Sequence, residues 1–249
     1  MDLGITGRRA IVAAGTAGLG LGTAQALADE GVLVAVCGRN PDRLDAAVAA
    51  LGPHAVGIIA DLSEPDGAVR FAEEAEDRLG GTIDIVVANA GGPPPGTPMA
   101  ASLDEYRYAL ELNTLATIAL VQAVVPAMQH QRWGRVLAIT SIGARQPIVT
   151  LAASSAARAA TTSFIKNLAT QVGPDNVTAN TIQPGMHATD RVKALHQNPA
   201  DNPTGGIPLG RFGDAADFGA VAAFLCSEPA NFITGASIIV DGGASGGLQ

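Results

Sequence analysis

A short apolar run that turns on glycines straight into a helical pattern constrains this chain more than any other feature. Residues 10–14 read Ala-Ile-Val-Ala-Ala and residues 15–20 read Gly-Thr-Ala-Gly-Leu-Gly, after which Leu21, Ala24, Leu27 and Ala28 recur at helical spacing. Glycines let the backbone turn tightly and approach a ligand closely. The helix that follows presents free N–H groups and the positive end of its dipole, which suits a phosphate. Directly after a first strand, such a turn predicts a phosphate-binding strand–turn–helix unit.

The same alternation continues to the end of the chain. Further apolar strand-like runs lie at 32–37, 55–60, 83–88, 136–139, 177–182 and 237–240, with helical patterns at 41–51, 64–79, 103–130, 151–172 and 214–227. Near-continuous apolar strands alternating with helices predict an α/β fold: a single Rossmann-type domain over 1–249, with a doubly wound parallel sheet of about seven strands and helices on both faces. The composition agrees, with 47% hydrophobic residues, 30 glycines and only 4% aromatics. Two loops leave strand C-terminal ends, where ligands bind in such sheets: Gly91-Gly92-Pro93-Pro94-Pro95-Gly96 and a long segment from Gly185 to Gly206. The second predicts a substrate lid at about 186–207.

Composition also excludes several classes. The net charge is −8, and the only lysines are Lys166 and Lys193, so a nucleic-acid surface is not expected. Cys37 and Cys226 stand in apolar contexts and read as free buried thiols. The first residues do not read as a signal peptide, and the longest apolar stretch, 115–128, is interrupted by Thr117, Gln122 and Pro126. A soluble, cytoplasmic protein without membrane contact is expected. His54, His130 and His196 lack metal-ligand spacing and read as surface residues, so no metal is expected.

Further motifs follow the glycine turn in order. Asp61-Leu62 follows the third strand, Asn89-Ala90-Gly91 the fourth, Ser141 the fifth, and Pro184-Gly185 with Thr189 the sixth; Asn113 lies in the long helix and Asp241-Gly242-Gly243 closes the last strand. Over essentially its whole length the chain resembles the short-chain dehydrogenase/reductase family, in particular its 3-oxoacyl reductases. The resemblance implies a nicotinamide dinucleotide. It places Gly15, Gly18, Leu19 and Gly20 at the pyrophosphate and ribose, and Asp61 with Leu62 at the adenine. Asn89 and Gly91 flank the adenosine side, while Pro184, Gly185 and Thr189 hold the carboxamide or phosphate side. One departure is immediate: the family's Thr-Gly entering the turn reads Ala13-Ala14, and Gly15 is expected to supply the lost backbone freedom.

The end of the second strand bears on cofactor choice. An NAD site places a carboxylate there for the ribose 2′-OH. This chain has Gly38-Arg39-Asn40, with no acidic residue along the chain until Asp42. Arg39 can pair with a 2′-phosphate, which favours NADP(H) over NAD(H).

The larger departure is catalytic. The family's Tyr and, four residues later, Lys share one helix face, but Ser154 and Arg158 occupy those positions here. Ser154 lies thirteen residues after Ser141, and neither tyrosine, Tyr106 or Tyr108, has a lysine four residues on. The expected catalytic group is therefore Asn113, Ser141, Ser154 and Arg158, with Arg158 also reaching the cofactor ribose. A serine hydroxyl is a far weaker acid than a phenol, and a guanidinium does not readily relay a proton. His187 is a candidate proton donor if its loop folds over the substrate and is otherwise a solvent-exposed histidine; Tyr106, Tyr108 and Arg145 are more remote candidates.

The functional expectation is an NADP(H)-dependent oxidoreductase acting on a carbonyl or alcohol, ketone or 3-oxoacyl-like, with an altered proton-donor site. The alternatives are a non-catalytic dinucleotide-binding sensor or partner subunit, an enone reductase, and a non-redox enzyme reusing the pocket. By the same resemblance a homodimer or homotetramer is expected. Its contacts would use helices 103–130 and 151–172, the latter rich in alanines at 152, 153, 156, 157, 159 and 160.

Overall fold

A computed structural model describes residues 1–64, 66–195 and 204–248. The strands are β1 (Arg9–Val12), β2 (Leu33–Gly38), β3 (Ala55–Ile59), β4 (Ile85–Ala88), β5 (Gly134–Ile139), β6 (Val177–Pro184) and β7 (Ser237–Val240). They form one parallel sheet in the order β3-β2-β1-β4-β5-β6-β7. Strand order reverses between β1 and β4, which opens a crevice above their C-terminal ends.

Side chains alternate across this sheet with the strand period of two, so each face has its own core. On one face Val12, Val34, Val36 and Ile182 pack under α1 (Gly18–Asp29), α2 (Pro41–Leu51) and a helix at Ala215–Leu225. On the other, Ile11, Ala35, Val86 and Val136 pack under α3 (Gly67–Leu79) and two later helices, Ala116–Gln131 and Ala152–Val172. Cys37 and Cys226 are free and buried, and burial pushes both thiols up to about 12. They are inert parts of the core, as the sequence suggests.

The predicted helix 103–130 is continuous in path but not in type. Helix α4 (Leu103–Leu110) begins at a capping box in which Ser102 and Glu105 each satisfy the other's backbone N–H. A π-helical segment, Glu111–Leu115, then inserts before α5 (Ala116–Gln131). Periodicity does not show one extra residue in a turn, and such bulges concentrate at functional sites. The joined helix, Leu103–Gln131, is long and apolar enough to cross a bilayer by composition. Its Leu120, Val121, Val124 and Met128 are instead buried in the core beneath α3 and the sheet. The remaining helices are α6 (Ala152–Val172), α7 (Asp190–Leu195) and α8 (Ala215–Leu225).

The glycine turn differs from expectation at its entrance. Gly15 does not supply the left-handed residue; Ala14 does, with φ 47°. Gly15 is needed for space, because a Cβ there would stand 2.7 Å from Val36 Cγ1. A left-handed alanine costs about 1–2 kcal/mol. Ala14→Gly should therefore stabilise the protein by about 1 kcal/mol net of the glycine's greater unfolded-state entropy. A thermal melt is expected to shift upward by roughly 2–4 °C.

Candidate active site

Helix α1 starts without a side-chain cap: its N-cap is Ala17, and its first turn has no acidic residue. Its leading N–H groups are thus left for an anion. Gly20 sits where the Asn89 side chain crosses the turn; a Cβ there would lie 2.5 Å from the Ala14 carbonyl oxygen and 2.6 Å from Asn89 Nδ2. Asn89 donates from Nδ2 to that carbonyl at 3.3 Å, pinning the end of β4 to the turn after β1. Gly18 is left-handed, φ 55°, and faces Thr189, while a Cβ on Gly91 would meet only open space. This is a cradle with an uncapped helix end and cleared glycines, and it fits a dinucleotide pyrophosphate.

At the far end of the crevice, Arg39 Nη1 lies 3.5 Å from Asp61 Oδ2. Burial raises the Asp61 carboxyl, but hydrogen bonds from the Ser63 hydroxyl and N–H, together with Arg39, outweigh it and hold the group below its usual range. Along the chain no acid precedes Asp42 after Arg39; in space a carboxylate is adjacent, because β2 and β3 end side by side. The pair is half open to solvent and weak, so Arg39 can turn to a ligand. Leu62 is buried in the core, which leaves its main chain as the part available to an adenine.

The other end is built around Arg158. Its side chain is buried and has no carboxylate partner among the described residues. Nη1 donates to the Ile139 and Thr140 carbonyls at 3.0 and 2.9 Å, Nη2 to the Ala90 carbonyl at 3.3 Å, and Nε to Ser154 Oγ at 3.3 Å. The sheet explains one of these contacts. The Thr140 N–H bonds the Ile182 carbonyl, so the parallel ladder would give the Thr140 carbonyl to the N–H of residue 184. Residue 184 is proline, which has none, and the guanidinium takes its place. Burial and the neighbouring charge of Arg191 lower the Arg158 guanidinium to about 10, still cationic at neutral pH.

Ser141, past the end of β5, accepts the Gly143 N–H on its Oγ at 3.0 Å. Asn113 is held in the π segment. Its carbonyl accepts the Thr117 and Thr161 hydroxyls, its Nδ2 donates to the Ala109 carbonyl, and its Oδ1 is buried without a partner. Thr140 Oγ1 and both polar atoms of Gln183, which follow the paired residues Ile139 and Ile182, are also buried and unpartnered. A groove of about 700 Å³ lies between α1 and α8 and touches the cleft at Gly18 and Ala188–Asp190. The predicted catalytic residues lie apart from it, past the end of β5 and on α6 and the π segment.

The family profile described as Enoyl-(Acyl carrier protein) reductase matches residues 13–245. This chain is a member of the short-chain dehydrogenase/reductase family. It is 32% identical over 245 residues to dehydrogenase/reductase SDR family member 4 of Sus scrofa, covering 96% of this chain and 88% of that protein. It is 32% identical over 247 residues to the 3-oxoacyl-[acyl-carrier-protein] reductase FabG of Aquifex aeolicus, covering 98% and 99%. Among solved structures, L-sorbose reductase from Gluconobacter frateurii, complexed with NADPH and L-sorbose, superposes with TM-score 0.92 at 31% identity over 100% of both chains. A 7α-hydroxysteroid dehydrogenase complexed with NADH matches with TM-score 0.92 at 30% identity, over 100% of this chain and 98% of that one. A short-chain oxidoreductase from Pseudomonas aeruginosa PAO1, described as containing an atypical catalytic center, matches with TM-score 0.90 at 28% identity over 100% of both.

In this member of the family, the predicted residues fall into two groups flanking the glycine turn. Arg39, Asp61 and Leu62 lie at the ends of β2 and β3; Asn113, Ser141, Ser154 and Arg158 gather where β5, the π segment and α6 meet. Gly185 is required at its place because the Asp241 Cβ would lie 2.6 Å from a Cβ there. His187 is neither a surface residue nor a donor facing the cleft. It is buried edge-on against Phe218, its Nδ1 lies 3.3 Å from the Gly185 carbonyl, and burial lowers it, keeping it neutral. Tyr108 and Arg145 are exposed, and the Tyr106 hydroxyl reaches only the Pro98 carbonyl at 3.5 Å. His54 and His130 are exposed; His196 and the middle of the expected lid lie outside the described residues.

Sequence reasoning missed Ala90, Thr140, Gln183 and Arg191. The first acts through its carbonyl, which no sequence pattern marks. Arg191, two residues after Thr189 in the loop past β6, carried a readable signal: a basic residue in a segment that covers strand ends.

Proposed function

We propose that this protein is an NADP(H)-dependent oxidoreductase that interconverts a carbonyl and an alcohol, with Ser154 and a fixed Arg158 in place of a phenol and a lysine beside the retained Ser141. One observation carries the reading. Ser154 Oγ accepts from Arg158 and Ser141 Oγ accepts from Gly143, so each hydroxyl has a lone pair occupied and its own O–H left to donate. Two donors with a cation behind one of them suit a carbonyl oxygen that becomes an alkoxide.

A bound reduced nicotinamide dinucleotide supplies the hydride. Ser141 and Ser154 hold the carbonyl oxygen and stabilise its developing charge, and Arg158 holds Ser154 in the donating orientation. The proton that completes the alcohol comes from solvent water, since none of these groups releases one easily at neutral pH. Orienting substrate against a hydride donor can contribute roughly 7–11 kcal/mol to lowering the barrier, more than general acid catalysis, which contributes about 10²–10⁴-fold. The atypical catalytic center of the Pseudomonas aeruginosa relative and the NADPH complex of the sorbose reductase support the reading. Arg39, at the end of β2, supports NADP(H). The reductase family description keeps activated C=C bonds among the substrates to be tried. We also read the protein as a homo-oligomer with a lid after β6. Leu110 and Leu115 on the α4–α5 helix and Ala156 and Ala159 on α6 are exposed, while Ala153 and Ala157 are used inside the subunit against Ala109.

The test is oxidation of NADPH and of NADH, followed by absorbance, with a panel of ketones and enones. Ser141→Ala and Ser154→Ala are each expected to lower kcat about 10²–10³-fold. With no phenol to ionise, kcat/KM should hold across neutral pH. It should fall as pH rises toward about 10, where Arg158 passes from cation to neutral and no longer supports Ser154. Dinucleotide binding with no oxidation across the panel would instead establish the sensor or partner-subunit reading.

A further inference from the structure

Two guanidinium groups from different segments close on the loop that leaves β4. Arg158 donates from Nη2 to the Ala90 carbonyl at 3.3 Å. Arg191, from α7, donates from Nη2 to the Pro93 carbonyl at 2.6 Å. It also covers Gly92, where a Cβ would lie 2.9 Å from the same nitrogen. The two charges are near enough that Arg191 lowers the Arg158 guanidinium. Among the described residues neither forms an ion pair.

Two like charges drawn together without a counter-charge are unfavourable, the more so when one is buried. An anion between them removes that cost. Donor capacity remains for it: of the five guanidinium N–H groups of Arg158, Nε uses one, Nη1 both and Nη2 one, which leaves one Nη2 N–H. Arg191 is exposed and spends one hydrogen bond on Pro93. Planar guanidinium forks match carboxylate and phosphate geometry.

We infer that the substrate carries an anionic group, a carboxylate or a phosphate ester near its reacting carbonyl, held between Arg191 and the remaining Nη2 N–H of Arg158. This rests on the cleft being the carbonyl-reducing site proposed above, and it gives the last Arg158 N–H to the substrate and not to the cofactor ribose that the family resemblance implies. The cofactor pyrophosphate is the rival anion. The uncapped end of α1 and Gly18, opposite Thr189, already provide for it, whereas Arg158 is bonded to Ser154 and to the carbonyls past the ends of β4 and β5.

The test uses three pairs of ligands that differ in charge and by one methyl group: a 2-oxo, a 3-oxo and a 4-oxo acid, each with its methyl ester. Binding to the NADP⁺-loaded protein is measured by calorimetry, and turnover with NADPH by absorbance. At least one acid should bind roughly 10–100-fold more tightly than its ester, and Arg191→Met should reduce that ratio about tenfold or more. Raising the salt concentration should shrink it as well. No acid preferred over its ester in any pair would overturn the inference. So would an Arg191→Met protein that loses NADP⁺ affinity while keeping the acid-to-ester ratio, since Arg191 would then serve the cofactor phosphates. Acids that bind tightly without being reduced leave the inference standing and remove the hydride-transfer reading; esters and acids reduced alike do the reverse.

Discussion

Arg158→Met is expected to lower stability by about 2–4 kcal/mol and kcat/KM by more than about 10²-fold. The guanidinium satisfies the Ile139, Thr140 and Ala90 carbonyls at once. An unsatisfied buried acceptor costs about 1–3 kcal/mol, and the Thr140 carbonyl cannot turn to the sheet because Pro184 offers no N–H. Part of this loss is offset, because the variant no longer buries an unpaired cation. Urea denaturation and steady-state kinetics read the two effects separately. Arg158→Lys keeps the charge with three donors on a single nitrogen, and should recover more of the stability than of the activity, since Ser154 loses its Nε partner. A methionine variant as stable and active as the parent would show that water serves those carbonyls and that the cation is a bystander.

The second large effect is expected at Gly20. Valine there puts a branched carbon where the Ala14 carbonyl and Asn89 Nδ2 already stand 2.5 and 2.6 Å from an ideal Cβ. One of them must give way, and the Asn89 bond that ties β4 to the glycine turn is the weaker at 3.3 Å. The turn then loses the shape that aims the α1 N–H groups at a phosphate. Gly20→Val should weaken NADPH binding more than 100-fold by fluorescence titration, a loss of about 2.7 kcal/mol or more. The circular dichroism of the folded sheet should persist. Unchanged NADPH affinity would mean that the dinucleotide does not lie on this turn.

These two residues also mark how far the sequence can be read. Gly20 belongs to a local pattern, a strand, a turn and a helix within twenty residues, and local patterns are written in spacing. The alternation of apolar runs with helical periods likewise carries the parallel sheet and its two covered faces, because a strand buried on both sides has few places for polar residues. Ser154 and Arg158, four apart on one helix, were legible as a pair for the same reason.

Other features depend on contacts between segments distant in the chain, and only the tertiary structure decides them. Arg39 lacks an acidic neighbour in sequence yet faces Asp61, because β2 and β3 are paired in register. His187 belongs to a loop in sequence and is buried against Phe218, because the chain past β6 folds under α8. The π turn at Asn113 adds one residue to a helix whose periodicity stays apolar throughout, so the pattern hides it. Arg158 and Arg191 meet at loop 90–93 only because β4, α6 and α7 end in one place. Residue types and periods, set by local sterics and burial, fixed the architecture and the inventory of the site; which charges face each other is a property of strand order and packing, which no single segment encodes.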